Sequence, residues 1–380
     1  MKFEGYRDDE LLSCLGERFT VVYRMSAEIE TALDMAKKLC VEQTVEFPAE
    51  HIECDAIQSD IIGRLEDFGT YHGEFEAVIS YSSQSATNEF AQFFNVVLGN
   101  SSLIPGITVM DIYLPDEMQK WFPGPKYGIK GIREKLGAYD RPLTFTALKP
   151  MGLPVRSLAD EAYKCALGGI DLIKDDHGLM NQPFADYKTR IKTVSEAVNR
   201  ANAETGGHTM YIPNVSGRVF DIIDRIKYAQ DCGAGGIMMS PGLISFDAMQ
   251  YAAAHTDLPV VAHPAMSGCF LDKGSGGFDC GFVMGMLMRM CGADFTVFPN
   301  FGGRFSLTQQ QCLDIADSCR KERDNMPAIF PCPSGGMTFD RLSSMKEFYG
   351  NDTVFLMGGG LFTSGPDLTE NCRRFINELS

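Results

Sequence analysis

PLTFTAL (142–148), running into Lys149-Pro150, and IDLIK (170–174), running into Asp175-Asp176-His177, decide the fold. Both are short runs of apolar and β-branched residues, with a helical stretch (158–168) between them. Strands this apolar have both faces buried, as in a parallel sheet covered by helices. Outward from this pair the same unit repeats. Further β-type runs lie at 209–215, 235–240, 258–263, 294–300, 328–333 and 353–357, and amphipathic stretches such as 185–204, 218–232, 307–323 and 338–349 fall between them. Eight strands, each followed by a helix, over about 235 residues predict an α/β chain with a C-terminal (β/α)8 TIM barrel. A doubly wound open sheet is the competing arrangement, since one miscounted strand would break the closure.

Upstream the pattern is different. FTVVYRMS (19–26), EFEAVISYS (74–82) and ITVMDIYL (107–114) alternate like strands, and 28–40 and 88–99 have helical periodicity. They predict a smaller α+β domain ahead of the barrel. PDEMQKWFPGPKYG (115–128), with three prolines and two glycines, marks the junction, so the expected domains are 1–125 and 126–380.

Composition narrows the partners. Of 380 residues, 34 are basic and 50 acidic, and a net charge of −16 argues against a nucleic-acid or anionic-membrane surface. Twelve cysteines are scattered without a CxxC pair, which predicts reduced thiols and a cytoplasmic protein. The start, MKFEGYRDDELL, has no cationic segment followed by an apolar run, and no apolar stretch is long enough to span a bilayer.

Barrel chemistry gathers at the C-terminal ends of strands. Those ends carry Lys149, Lys174 with Asp176 and His177, Asn214, Ser240, His263, Asn300, Ser334-Gly335-Gly336 and Gly358-Gly359-Gly360. Alternation along a strand puts Lys174 and Asp176 on one side and Asp175 on the other. A protonated lysine repels a cation, but a lysine of lowered pKa adds CO2 to become an anionic carbamate. That would complete a metal site with Asp176 and His177; an exposed turn with ordinary ion pairs is the other reading. The two glycine loops follow the seventh and eighth strands, where barrels commonly hold phosphate. Arg304, after Gly302-Gly303, suits a mobile cation over bound substrate.

These residues resemble a known family. GGIDLIKDDHGLMNQPF (168–184) is similar to GGLDFTKDDENVNSQPF of the ribulose-bisphosphate carboxylase large chain, and the likeness continues in register. TALKPMGL, HPAMS, PSGG, MGGG, the LGN ending at Asn100 and VEQTVEF containing Glu42 resemble further family motifs. The resemblance implies Mg2+ (or another divalent ion such as Mn2+) and CO2 as the Lys174 carbamate, with Lys174, Asp176 and His177 as ligands. It implies Lys149 as the group handling the enolising proton, and a role for His263. The loops Ser334, Gly335, Gly336, Gly358, Gly359 and Gly360 would bind phosphate, with Asn214 and Asn300 beside them. Glu42 and Asn100 would reach the site from a neighbouring subunit, giving a head-to-tail homodimer or an oligomer of dimers.

Departures from the family are as informative. His177 stands in place of a glutamate ligand, Met151 occupies the shortened loop that lacks the second lysine, and Pro264, Ser267 and Val297 replace an arginine and two histidines. Arg304 replaces the mobile-loop lysine. The implied protein is therefore a carboxylase-like enzyme that does not fix CO2, acting on a keto sugar phosphate through an enediolate. Short strings such as FPNFGGRFS point to decarboxylation or C–C cleavage of 3-oxo-isoapionate 4-phosphate. The alternatives are a 2,3-diketo-5-methylthiopentyl-1-phosphate enolase, which uses a lysine where this chain has Asn100, a thiosugar-phosphate isomerase, or a non-catalytic sugar-phosphate sensor.

Overall fold

The structure is a computed structural model and describes residues 16–380, apart from 72, 306, 324 and 325. The opening MKFEGYRDDELL thus lies outside the described residues. The chain divides into two compact units, one reaching to Phe122 and including Cys269–Val283, the other made of Pro123–Gly268 and Met284–Ser380.

The first unit is built on a five-stranded sheet in the order β10-β4-β1-β3-β2. Strand β1 (Arg18–Met25) alternates strictly, with Phe19, Val21, Tyr23 and Met25 buried. It lies antiparallel to both β3 (Glu74–Ser82) and β4 (Ile107–Tyr113), so Val21 faces Ile79 on one side and Ile112 on the other. Helix Ile29–Glu42 buries Ala32, Ala36, Leu39 and Cys40. Helix Phe90–Val97 sets Phe93 against Phe19, ring centroids 5.0 Å apart. Strand β2 (Arg64–Tyr71) was not legible in the sequence: RLEDFGTY is an edge strand with exposed residues on both faces, so no apolar alternation marks it. The two-residue strand β10 (Gly277–Phe278) joins β4 in parallel, from a segment far along the chain.

The second unit is the eight-stranded parallel sheet expected from the repeats. Its strands are β5 (Leu143–Ala147), β6 (Leu172–Lys174), β7 (Met210–Ile212), β8 (Ile237–Met239), β9 (Val260–Ala262), β11 (Phe295–Pro299), β12 (Phe330–Ser334) and β13 (Val354–Leu356). The order is β7-β6-β5-β13-β12-β11-β9-β8, and a parallel bridge between Asn214 and Met238 brings the two ends together. Every strand sends side chains into one core: Phe145, Leu172, Ile212, Met238, Val261, Phe295, Phe330 and Val354 are each buried there. Val297, which stands where the family has a histidine, is part of that packing. A barrel filled this way is solid, so chemistry is confined to its rim.

All described cysteines carry free thiols, as their spacing predicts. Among the described residues, no helix is long and apolar enough to cross a membrane. Beyond the loop bearing Arg304, helix Gln309–Arg320 opens on a capping box in which Thr308 and Gln311 satisfy each other's backbone N–H groups. Thr308→Ala is expected to cost about 1 kcal/mol, read as a shift in the urea midpoint at unchanged slope.

Candidate active site

The site forms where β5 and β6 end side by side. Register pairs Ala147 with Lys174 and Lys174 with Ile212, and the Leu148 N–H donates to the Lys174 carbonyl at 2.9 Å. These bonds bring Lys149, Lys174 and Asp176 to one patch of rim.

Asp176 is its hub. Lys149 Nζ donates to Oδ2, His177 Nδ1 donates to Oδ1 at 2.8 Å, and the Gly178 N–H approaches Oδ1 at 3.3 Å. Burial alone would push this carboxyl up, but the bonds from His177 and Lys149 and the charge of Lys174 outweigh it and hold Asp176 well below the usual carboxylate range. Lys174 lies beneath, its side chain buried, with Nζ donating to the Asp175 carbonyl at 3.0 Å. Desolvation brings its amine down to about 8; the charge of Lys149 acts in the same direction, against the pull of Asp176 and Asp175. Across the rim His263 stacks on His177, ring centroids 4.5 Å apart and planes 9° from parallel. Burial first, and the neighbouring Lys174 and His177 next, hold His263 well below its ordinary value. Its Nδ1 accepts the Ala265 N–H at 3.2 Å, so Nδ1 is the acceptor nitrogen of a neutral ring.

Asp175 points the other way, as alternation predicts, into a fully buried network. It accepts from Arg190 Nε at 3.1 Å, Tyr211 OH at 2.8 Å and the Asn214 N–H at 3.0 Å. Arg190 also donates to the carbonyls of Ala185 and Met180, at 2.6 and 2.8 Å. One arginine therefore ties the turn after β6 at three points.

Other expected site residues sit differently. Asn214 spends its side chain on the His177 carbonyl (2.9 Å) and on the Ser216 N–H (3.0 Å). Asn300 accepts from Tyr349 OH at 2.6 Å and lies against the sulfurs of Met337 and Met345, so its amide is a packing tie and does not face the rim. Its main-chain N–H donates to the Ser334 carbonyl at 2.8 Å, so Asn300 lies beside the Ser334-Gly335-Gly336 loop. Arg304 is exposed with its guanidinium over the Phe305 ring and is not brought to the Asp176 cluster. Glu42 ends helix Ile29–Glu42, and Asn100 is exposed in the turn Gly99–Leu103. Their neighbours Gln43 and Ser101 are hydrogen-bonded at 2.7 Å, which draws the two to the same end of the first unit.

The glycine loops leave open backbone. A side chain at Gly335 or Gly359 would meet nothing within 4 Å, and Gly335 and Gly336 hold positive φ. Gly358 opens against the stem of Lys149, with Cε 3.6 Å from where a Cβ would stand, so this loop borders Lys149. Loop 300–305 packs on loop 334–337 through Gly303 and Gly336, and Arg341 donates to the Gly336 and Phe301 carbonyls, clamping both.

As they stand, no three His, Cys, Asp or Glu side chains form a metal-ligating group among the described residues. The donor chemistry closes only with Lys174 as a carbamate: carbamate and carboxylate oxygens plus one imidazole fit a divalent ion of intermediate hardness. One buried contributor escaped the sequence reading. Arg190 lies on the apolar stripe of its helix, beside Tyr187 and Val194. A charge on such a stripe is the signal that would have found it.

Residues 128–366 match the family model for the ribulose bisphosphate carboxylase large chain, catalytic domain. The crystal structure of a Rubisco-like protein from Rhodopseudomonas palustris superposes with a TM-score of 0.86 at 36% identity, covering 96% of this chain and 98% of that one. A 5-methylthioribulose-1-phosphate isomerase of Rhodospirillum rubrum is 35% identical over 96% of each chain. A 2,3-diketo-5-methylthiopentyl-1-phosphate enolase of Bacillus pumilus is 33% identical over 75% of this chain and 71% of its own.

Proposed function

The chain belongs to the ribulose bisphosphate carboxylase large-chain family, and within it we propose an enzyme that shifts a proton next to the carbonyl of a phosphorylated keto sugar. The observation that carries this reading is the contact of Lys149 with Asp176 over a buried, low-pKa Lys174, all beside open glycine loops. Lys174 as carbamate, Asp176 and His177 are the residues to hold a divalent ion. When bound, such an ion polarises a substrate carbonyl and so acidifies the adjacent C–H.

The chain's own groups supply the rest. The Gly335-Gly336 and Gly358-Gly359 backbones hold the phosphate, fixing the sugar's position. Lys149 Nζ, entering the step as the free amine, takes the proton from carbon and, as the ammonium so formed, returns it to the neighbouring position, leaving an enediolate in between. His263, a neutral ring backed by His177, orients a substrate hydroxyl. Exposed Met151 sits on the loop where the family's second lysine is missing, which favours an uncharged apolar substituent over a carboxylate at that end.

Isomerisation of a thiosugar phosphate is thus favoured over decarboxylation of 3-oxo-isoapionate 4-phosphate, the first expectation from the short sequence strings. The named relative aligned along nearly its full length is an isomerase, and Asn100 is not the lysine the enolase employs. The test is 5-methylthioribulose 1-phosphate with magnesium and bicarbonate in D2O. A moved carbonyl with deuterium on the neighbouring carbon and no carbon lost is expected. Turnover of only the β-keto acid, with CO2 released, would reverse the choice.

Carbamylation has its own pH signature. The neutral amine is the form that adds CO2; with its pKa brought down to about 8, half of Lys174 is neutral at that pH. An ordinary lysine there would be about 0.3% neutral. A 13C carbamate signal from labelled bicarbonate should rise with pH, be half-developed near pH 8 and vanish in Lys174→Ala. Its absence at pH 9 with magnesium present would exclude the carbamate.

A further inference from the structure

The turn after β12 runs through two successive left-handed residues, Gly335 at φ +82° and Gly336 at φ +68°. A turn of this kind often closes by a bond to its first carbonyl. Here the Ser334 carbonyl accepts the Asn300 N–H, so it is tied to the neighbouring strand end. The far side of the turn is held by Arg341. Its Nη1 donates to the Gly336 carbonyl at 2.9 Å and its Nη2 to the Phe301 carbonyl at 3.0 Å. The guanidinium lies over the Phe301 ring, 5.5 Å from the centroid, and that ring packs on Phe348 at 4.9 Å.

The lever is itself fixed. Arg341 ends the short turn Phe339–Arg341, where its N–H donates to the Thr338 carbonyl at 3.1 Å. Its own carbonyl accepts from Ser344 Oγ at 2.9 Å. Around it the two loops meet backbone to backbone. A Cβ on Gly303 would stand 3.0 Å from the Gly335 oxygen, and one on Gly336 3.0 Å from Gly303 Cα. A Cβ on Gly302 would come 3.3 Å from Nη2.

We propose that Arg341 is a positioning residue for anion binding: it fixes the Gly335-Gly336 turn to receive a phosphate, without touching the phosphate itself. A trans peptide sets its C=O and the following N–H in opposite directions, so the bond to the Gly336 carbonyl aims the Met337 N–H away from the guanidinium. That N–H and those of the two glycines make the anion cradle, since successive main-chain N–H groups in such turns form a concavity for negative charge. The same guanidinium ties the turn to the loop that carries Arg304. The role toward phosphate rests on the reading of these loops given above; the tie between them does not. Charge alone would be met by lysine, which binds phosphate as a point cation. Two carbonyls held at once call for a planar fork, which lysine lacks.

Inorganic phosphate at pH 8, followed by 31P line broadening on the full chain, is the probe. Arg341→Ala and Arg341→Lys are each expected to weaken its binding about tenfold, in keeping with the loss of two hydrogen bonds. Lysine restoring wild-type affinity would make the effect one of charge and overturn the positioning role. So would wild-type affinity in both variants. Gly335→Ala locates the anion, because its methyl would stand in the open cradle. A second arm needs no ligand. Trypsin cuts after Arg304, which is exposed, and the fragment beginning at Phe305 should form about fivefold faster in both Arg341 variants. An unchanged cutting rate overturns the tie. Phosphate that wild type does not bind, or that Gly335→Ala binds undiminished, sinks the phosphate reading and the positioning role with it. Faster cutting in the Arg341 variants then still reveals the tie, so the two failures are told apart.

Discussion

Lys149→Met is expected to lower turnover by about 10²- to 10⁴-fold, with KM little changed. Its amine can be reached from the rim: the side chain is 40% exposed, whereas Lys174 below it is buried. Methionine retains the apolar stem that lies along Gly358, so the phosphate loop keeps its neighbour. Asp176 loses one donor but retains the His177 bond and the Lys174 charge, so it stays ionised. Lys149→Arg sharpens the test. Arginine can still pair with Asp176 but does not release a proton near neutrality, so it should be as inactive as methionine. Melting curves near wild type alongside the kinetics exclude unfolding as the cause. A loss below about threefold would mean that the proton is handled by another group, His263 first among them.

Arg190→Met should destabilise the protein by about 3–5 kcal/mol, because Asp175 is then a buried carboxylate without its cation. Both partners are fully buried, and the arginine's two further bonds hold the turn that presents Asp176 and His177. The double change Arg190→Met with Asp175→Asn should recover most of the loss. Asparagine with its oxygen toward Asn214 still accepts that N–H, its amide N–H can donate to the Tyr211 hydroxyl, and it carries no charge to strand. Urea unfolding of the two variants beside wild type measures both values. A single-variant loss under about 1 kcal/mol would show that water reaches the pair.

The barrel was legible because its strands are buried on both faces, so nearly every residue of PLTFTAL or IDLIK is apolar or β-branched. The same logic hid β2, which has no buried face to advertise. That Lys149, Lys174, Asp176, His177 and His263 would gather could be read because ionisable groups at strand ends have few structural uses. The asparagines are harder to read: an amide at a strand end satisfies backbone and neighbouring side chains as readily as a substrate, and Asn214 and Asn300 have such partners here. Arg304 is exposed, and nothing in the short string GGR specifies where a guanidinium rests. Arg190 acts through burial, which is a property of packing that single-residue chemistry does not announce.

The pairing of β10 with β4 carries a consequence for biogenesis. A ribosome emits β4 early, but its last partner arrives only after β5 through β9 have been made. The amino-terminal sheet must wait with one flank bare while more than half of the barrel emerges, and a polypeptide truncated before residue 277 would keep that flank open as a seam for unwanted association.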